Sequence, residues 1–145
     1  MSGHEFLAIR ERVVGCVSRR REIAAAYIFG SVASGRARRT SDIDIAVLLK
    51  PAKNSSGFLH YRLKLMAELA SALGRSDIEV IVLNEAPPLL AHQVLSKGKL
   101  VFERSARARV EFQVRTVNLY IDTEPLRKLY RHYLKKRIRE GRVFG

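Results

Sequence analysis

Residues 29–49 read FGSVASGRARRTSDIDIAVLL, and this stretch decides the fold. An apolar run ends in Gly30-Ser31, and a glycine-spaced, arginine-rich stretch follows. Asp42 and Asp44 then alternate with Ile43 and Ile45 inside a second apolar run. Strict alternation is the mark of a strand, whose successive side chains point to opposite faces. Asp42 and Asp44 therefore share one face. Two carboxylates that close can hold one hard cation, and magnesium takes one or two carboxylates together with phosphate oxygens. The competing reading is an exposed strand start whose acids pair with Arg36, Arg38 or Arg39. Gly30 has no Cβ, so its backbone can approach a ligand closely. If a helical turn opens at Ser31, its free N–H groups and hydroxyl suit phosphate oxygens, with Gly35 serving the same loop. A plain chain reversal would use the same residues.

Working outward, residues 24–29 form a short buried strand that Gly30 ends, and residues 31–41 are loop with one helical turn at most. Upstream, Phe6, Ile9, Val13 and Val17 recur at helical spacing within 5–19. Downstream, KPAKNSSG at 50–57 breaks the strand. Residues 58–73 are an amphipathic helix closed by Gly74. DIEVIVL at 77–83, rich in β-branched residues, predicts a third strand. Pro87-Pro88 opens a short helix to about Lys97, Gly98 stops it, and 99–103 reads as an edge strand. Two helices follow over 105–121 and 125–140, joined near Asp122, with Thr123 as N-cap and Pro125 in the first turn. This alternation predicts an α/β fold, a mixed sheet flanked by helices with extra C-terminal helices. Residues 1–103 would form the core, and 104–145 would be basic helices packed on it within one structural domain.

A third acid would complete a metal platform for phosphoryl or nucleotidyl transfer, and the third strand offers Asp77 and Glu79 on one face. If that strand neighbours 42–49, Glu79 falls opposite the pair, and it is preferred over Asp77, which sits at the strand mouth.

Gly30-Ser31, ten intervening residues and Asp42-x-Asp44, with an acid on a later strand, resemble the polymerase-β-type nucleotidyltransferase superfamily. The short gap, the small size and SDIDIAVLL are most similar to its minimal nucleotidyltransferase branch, which includes the adenylyltransferase antitoxins paired with HEPN-type toxins. DIEVIVLNEAPPLLAHQVLSKGKLVFER and VNLYIDTEPLRKLYRHYLKKRIREG extend the resemblance over nearly the whole chain, least distinctively over its first 20 residues. The resemblance implies a polymerase-β-like core. It implies that Gly30 and Ser31, with Arg36 and Ser41, bind the nucleotide. It implies that Asp42 and Asp44 bind magnesium bridging the triphosphate of ATP, and that Glu79 is the third acid and metal ligand, helping to activate the attacking hydroxyl. Two positions depart from the pattern. The branch most often has Asp where this chain has Glu79, and Arg where it has Ser34, a charge that Arg36, Arg38 or Arg39 would replace. The implied function is transfer of AMP from ATP to a protein hydroxyl, a tyrosine of a cognate HEPN-type toxin, which the transfer neutralises. The alternatives are an antitoxin that neutralises by binding alone, and a nucleotidyltransferase acting on RNA or a small molecule.

The bulk numbers agree with this reading. At 145 residues and 47% hydrophobic content, a single domain with its own core is expected. Lys and Arg number 27 against 14 Asp and Glu, for a formal charge of +13 that favours an acidic partner. The segment 104–145 holds 12 Lys and Arg against 4 Asp and Glu, a net +8 of that total. Its helices are expected to turn Leu126, Leu129, Tyr133 and Ile138 inward while offering a protein interface, with nucleic acid as the second choice. A homo-oligomer is compatible with the sequence. Cys16 is the only cysteine, which excludes an intramolecular disulfide and argues against a small secreted scaffold; in its apolar helical setting it is expected to be core. No signal-peptide-like or membrane-spanning apolar run is present, so a cytoplasmic location without membrane contact is expected. His4, His60, His92 and His132 lack zinc-site spacing. Arg127 and His132 have the spacing of an R-x4-H nuclease motif, but Leu134 stands where that motif has tyrosine.

Overall fold

The computed structural model describes residues 3–33, 42–51 and 57–140, without the side chains of Ser31 and Val32. Helix α1 (Gly3–Val17) leads into strand β1 (Ile23–Phe29), a one-turn helix α2 (Gly30–Ala33) and strand β2 (Ile43–Leu49). Helix α3 (Phe58–Leu73), strand β3 (Ile78–Val82), a 3-10 turn at Leu83–Glu85, helix α4 (Pro88–Lys97) and strand β4 (Lys99–Glu103) follow. Helices α5 (Ala106–Asp122) and α6 (Glu124–Arg139) close the chain. The sheet order is β3-β2-β1-β4. β1 runs antiparallel to β2 and β4, and β2 runs parallel to β3, so the sheet is mixed as expected.

Both faces of the sheet are covered. Ile43, Ile45 and Val47 of β2 and Val80 and Val82 of β3 pack on Val13 and Val17 of α1 and Leu65 and Leu69 of α3. The i, i+4 spacing on each helix presents one apolar stripe to the sheet. On the opposite face Tyr27, Ala46 and Leu48 meet Ala91 and Val94 of α4 and Phe112 of α5. Side chains alternate along β2, so Asp44 shares the face of Ala46 and Leu48, one step before the apolar cover begins.

The ends of these elements follow local chemistry. Gly74 closes α3 in the left-handed conformation, its N–H donating to the Ala70 carbonyl. Ser105 caps α5, its hydroxyl accepting from Ala108 N–H at 3.1 Å. Thr123 stands at the expected start of α6 without capping it: its backbone is helical (φ −91°, ψ 0°) rather than extended as an N-cap requires, and its hydroxyl donates back to the Tyr120 carbonyl at 3.0 Å. Asn84 acts where the sequence gave no signal. After β3 ends, its side-chain oxygen accepts from Leu49 N–H at 2.8 Å and its amide donates to the Leu49 carbonyl at 2.9 Å. One side chain thus stands in for a ladder partner at the end of β2. Asn84→Ala leaves both Leu49 groups part-buried and unpaired, and urea melts should show a loss of about 1–3 kcal/mol.

Two packing expectations are corrected. Cys16 is half-buried rather than core, because it lies at the rim between α1 and α3, its sulfur 4.0 Å from Glu68 Oε2. Burial and the Glu68 charge push its thiol pKa up, so it is not an activated nucleophile. Leu126, Leu129, Tyr133 and Ile138 do not turn inward. They are 69%, 65%, 56% and 56% exposed, and α6 buries no residue, because its main neighbour is α5 and not the sheet.

Candidate active site

The hinge of the site is the end of β1. Phe29 pairs with Asp44 across the antiparallel ladder, so the chain leaving β1 must turn directly over that carboxylate. Gly30 makes the turn with φ +75°, a left-handed conformation that side chains rarely adopt. A Cβ at this position would collide with Oδ2 of Asp44 and stand 3.3 Å from its Cγ. Gly30 then opens the single turn of α2, whose backbone includes Ser31. Gly30 and Asp44, fourteen positions apart in the chain, are stacked against each other in space.

On the other side of Asp44 lies β3. The parallel register pairs Asp44 with Glu79, and the ladder is prolonged where Ile43 N–H donates to the Asp77 carbonyl at 2.9 Å. Glu79 is exposed, between the buried Ile78 and Val80. Asp77, the alternative third acid, is already engaged: Arg75 Nε donates to its Oδ1 at 2.8 Å and Arg75 Nη2 forms a second bond to Oδ2. That hydrogen bonding holds the Asp77 carboxyl below the usual carboxylate range. Of the two acids that the sequence offered, register therefore brings Glu79 alongside Asp44, and an ion pair turns Asp77 toward Arg75. Asp42 is exposed, one residue before β2.

Asp44 is the electrostatic centre of the group. Burial first, then the charges of Asp42 and Glu79, push its carboxyl pKa up. An acid cluster of this kind is relieved by a cation, and its all-oxygen donor set suits a hard divalent ion. Among the described residues, no three His, Cys, Asp or Glu side chains converge on a preformed ion cage. Asp42, Asp44 and Glu79 are neighbours by register and charge, and like charges this near repel. Ser34, Gly35, Arg36, Arg38, Arg39 and Ser41 lie outside the described residues, as does the side chain of Ser31. The histidines form no metal group among the described residues, but His92 stacks on Tyr120 with ring centres 3.8 Å apart, a contact with no signature in sequence.

The model of the family described as polymerase beta, nucleotidyltransferase, matches residues 11–107, from α1 to the start of α5. The chain belongs to that family. Within it, the chain is 36% identical over 94 residues to the protein adenylyltransferase MntA of Shewanella oneidensis, a match that covers 65% of this chain and 63% of that protein. A crystal structure of a toxin–antitoxin with AMP-PNP superposes with a TM-score of 0.73 at 27% identity, over 87% of this chain and 98% of the matched one. A tri-AMPylated HEPN toxin of Shewanella oneidensis in complex with an MNT antitoxin superposes with a TM-score of 0.69 at 24% identity, over 90% and 98% of the two chains, and carries the fold alone. As a nucleotidyltransferase domain, the chain has the fold class read from its sequence. Among the described residues, no helix is long and apolar enough to cross a membrane.

Proposed function

We propose that the protein is a cytoplasmic adenylyltransferase that moves AMP from ATP onto a hydroxyl of a partner protein, a tyrosine of a cognate HEPN-type toxin, and so acts as its antitoxin. The observation that carries this reading is the register that stacks Gly30, Asp44 and Glu79 side by side at one sheet end. A phosphate-holding turn, a metal-holding pair and a third acid are the parts nucleotidyl transfer requires.

In this scheme the acceptor oxygen attacks the α-phosphorus of ATP. The bond from that phosphorus to the bridging oxygen of the β-phosphate breaks, and pyrophosphate leaves with the electron pair. Glu79 accepts the proton of the attacking hydroxyl. Gly30 lets the backbone reach the phosphates, and the first turn of α2 at Ser31 offers N–H groups to their oxygens. Arg36 and Ser41 complete the nucleotide contacts. Asp42 and Asp44, with Glu79, would hold magnesium, which supplies charge neutralisation along the triphosphate when bound. The 1–103 core carries this chemistry, and the helices of 104–145 belong to the same structural domain.

The test is to mix the protein with ATP, magnesium and the purified HEPN-type partner, then weigh the partner. A gain of AMP mass, lost in Asp42→Ala, supports the proposal. Neutralisation without mass gain overturns the transfer reading. The third acid is tested in the same assay. Glu79→Gln should slow transfer by about 10²–10⁴-fold through loss of the general base. Asp77→Asn should leave the rate near wild type, while loss of its part-exposed ion pair lowers stability by about 0–1 kcal/mol. The opposite ranking would move the third acid to Asp77.

A further inference from the structure

Helix α6 is attached to the protein by its polar root and not by its apolar face. At its first turn Arg127 lies over the Tyr120 ring, 3.5 Å from the ring centre, and its guanidinium donates to the Tyr120 carbonyl and to Thr123 Oγ1. Tyr120 in turn stacks on His92 of α4. This column of Arg127, Tyr120 and His92 ties α6 to α5 and α4 without using one of its aliphatic side chains. Beyond it, Leu126, Tyr130, Leu134 and Ile138 follow at i, i+4 spacing, with Leu129 and Tyr133 beside them, and all six are between 38% and 69% exposed. Val114, Val117 and Ile121 of α5 are exposed too. A continuous apolar stripe on this scale marks an interaction surface.

The flanks of the stripe indicate what covers it. At helical spacing Arg131 and Lys136 border it, Arg137 lies within it, and Lys128, Lys135 and Arg139 occupy the opposite side of the helix, with Glu124 and Glu140 at its two ends. A second copy of the chain would bring two like-charged tails together, each carrying a net +8 over 104–145. A protein surface with an apolar centre and an acidic rim complements the stripe in both respects, and exposed tyrosines beside arginine, as at Tyr130, Tyr133 and Arg137, are typical of such interfaces. We propose that this face of α6 docks the acceptor protein through an apolar patch rimmed with Asp and Glu. This deepens and rests on the adenylyltransferase reading: α6 leaves α5, which packs on the sheet face that carries Asp44, so the docked acceptor is held by the same side of the sheet as the acids.

The experiment titrates the purified HEPN-type protein into the full chain by calorimetry, at low and at raised salt. Leu129→Asp combined with Tyr133→Asp should weaken binding tenfold or more. Arg131→Glu with Lys136→Glu should weaken it severalfold and flatten its salt dependence. Both substitution pairs are on exposed positions, so unchanged circular dichroism and melting temperature are expected and serve as the folding control. Wild-type affinity in both variants overturns the proposal. So does a concentration-dependent dimer of the chain alone that Leu129→Asp/Tyr133→Asp abolishes, or binding that is confined to phosphatidylglycerol vesicles. Weighing the partner after incubation with ATP and magnesium separates the two readings. If α6 variants lose the partner while the wild-type complex gains no AMP, docking stands and transfer fails. If α6 variants bind and transfer as the wild type does, docking fails and transfer stands.

Discussion

Asp44→Asn should abolish nucleotidyl transfer and make the protein more stable. The two effects have one cause. Asp44 is half-buried beside Asp42 and Glu79, and burial and those charges hold its carboxyl pKa above the ordinary value. An acid whose folded-state pKa is raised costs stability wherever it is ionised in the fold. The cost is complete above the folded-state pKa, shrinks as pH falls through it, and vanishes below the unfolded-state pKa. The amide carries no charge, so thermal melts at neutral pH should show Asp44→Asn above wild type, with the gap closing as the solution is acidified. Loss of a metal-holding carboxylate should cost several kcal/mol of transition-state stabilisation, or about 10³-fold in rate. Magnesium should raise the melting temperature of the wild type and leave that of Asp44→Asn nearly unchanged. A variant that melts lower than wild type at neutral pH would overturn the electrostatic account.

Gly30→Ala should damage both activity and stability. The backbone at Gly30 is left-handed, which costs an L side chain about 1–2 kcal/mol. The added Cβ would also collide with Oδ2 of Asp44, so either the turn or the carboxylate must move. A displacement near 1 Å at a reacting centre lowers turnover by about 10²-fold. Transfer assays should show that loss, and calorimetric melts should show a fall that Asp44→Asn, added to the same chain, only partly reverses, because it leaves the volume of the carboxylate in place. Near-normal turnover in Gly30→Ala would mean that the turn is not part of the site. Asp44→Asn and Gly30→Ala thus shift stability in opposite directions while both suppress activity, a pattern that a purely structural role for this corner would not produce.

The sequence alone determined most of the elements and which acids and glycines stand near one another along the chain. Alternation at the start of 42–49 set Asp42 and Asp44 on one face in the expected strand, since a period of two has no other solution for a strand; the strand itself begins at Ile43 and carries Asp44. Apolar spacing gave α1 and α3, and glycine and proline marked their ends, because these signals are local. The same locality explains what was missed. Nothing in the neighbourhood of Asn84 announces that it will complete the ladder of a strand 35 residues away, and nothing near His92 announces Tyr120. The amphipathic pattern of α6 was read correctly as a stripe and wrongly as an inward one. Periodicity shows that a helix has an apolar face but not whether this chain supplies its cover.

Tertiary structure decided three matters. The parallel register of β2 and β3 set Glu79 beside Asp44, and the Arg75 ion pair engaged Asp77, a choice that spacing left open. The antiparallel register of β1 and β2 set Gly30 over Asp44, which turned a permissive glycine into a required one. Attachment of α6 through Arg127 and Tyr120 left its apolar stripe in solvent. Each depends on which strands and helices become neighbours. Neighbours are fixed by burial of the whole core, and no single window of sequence contains that information.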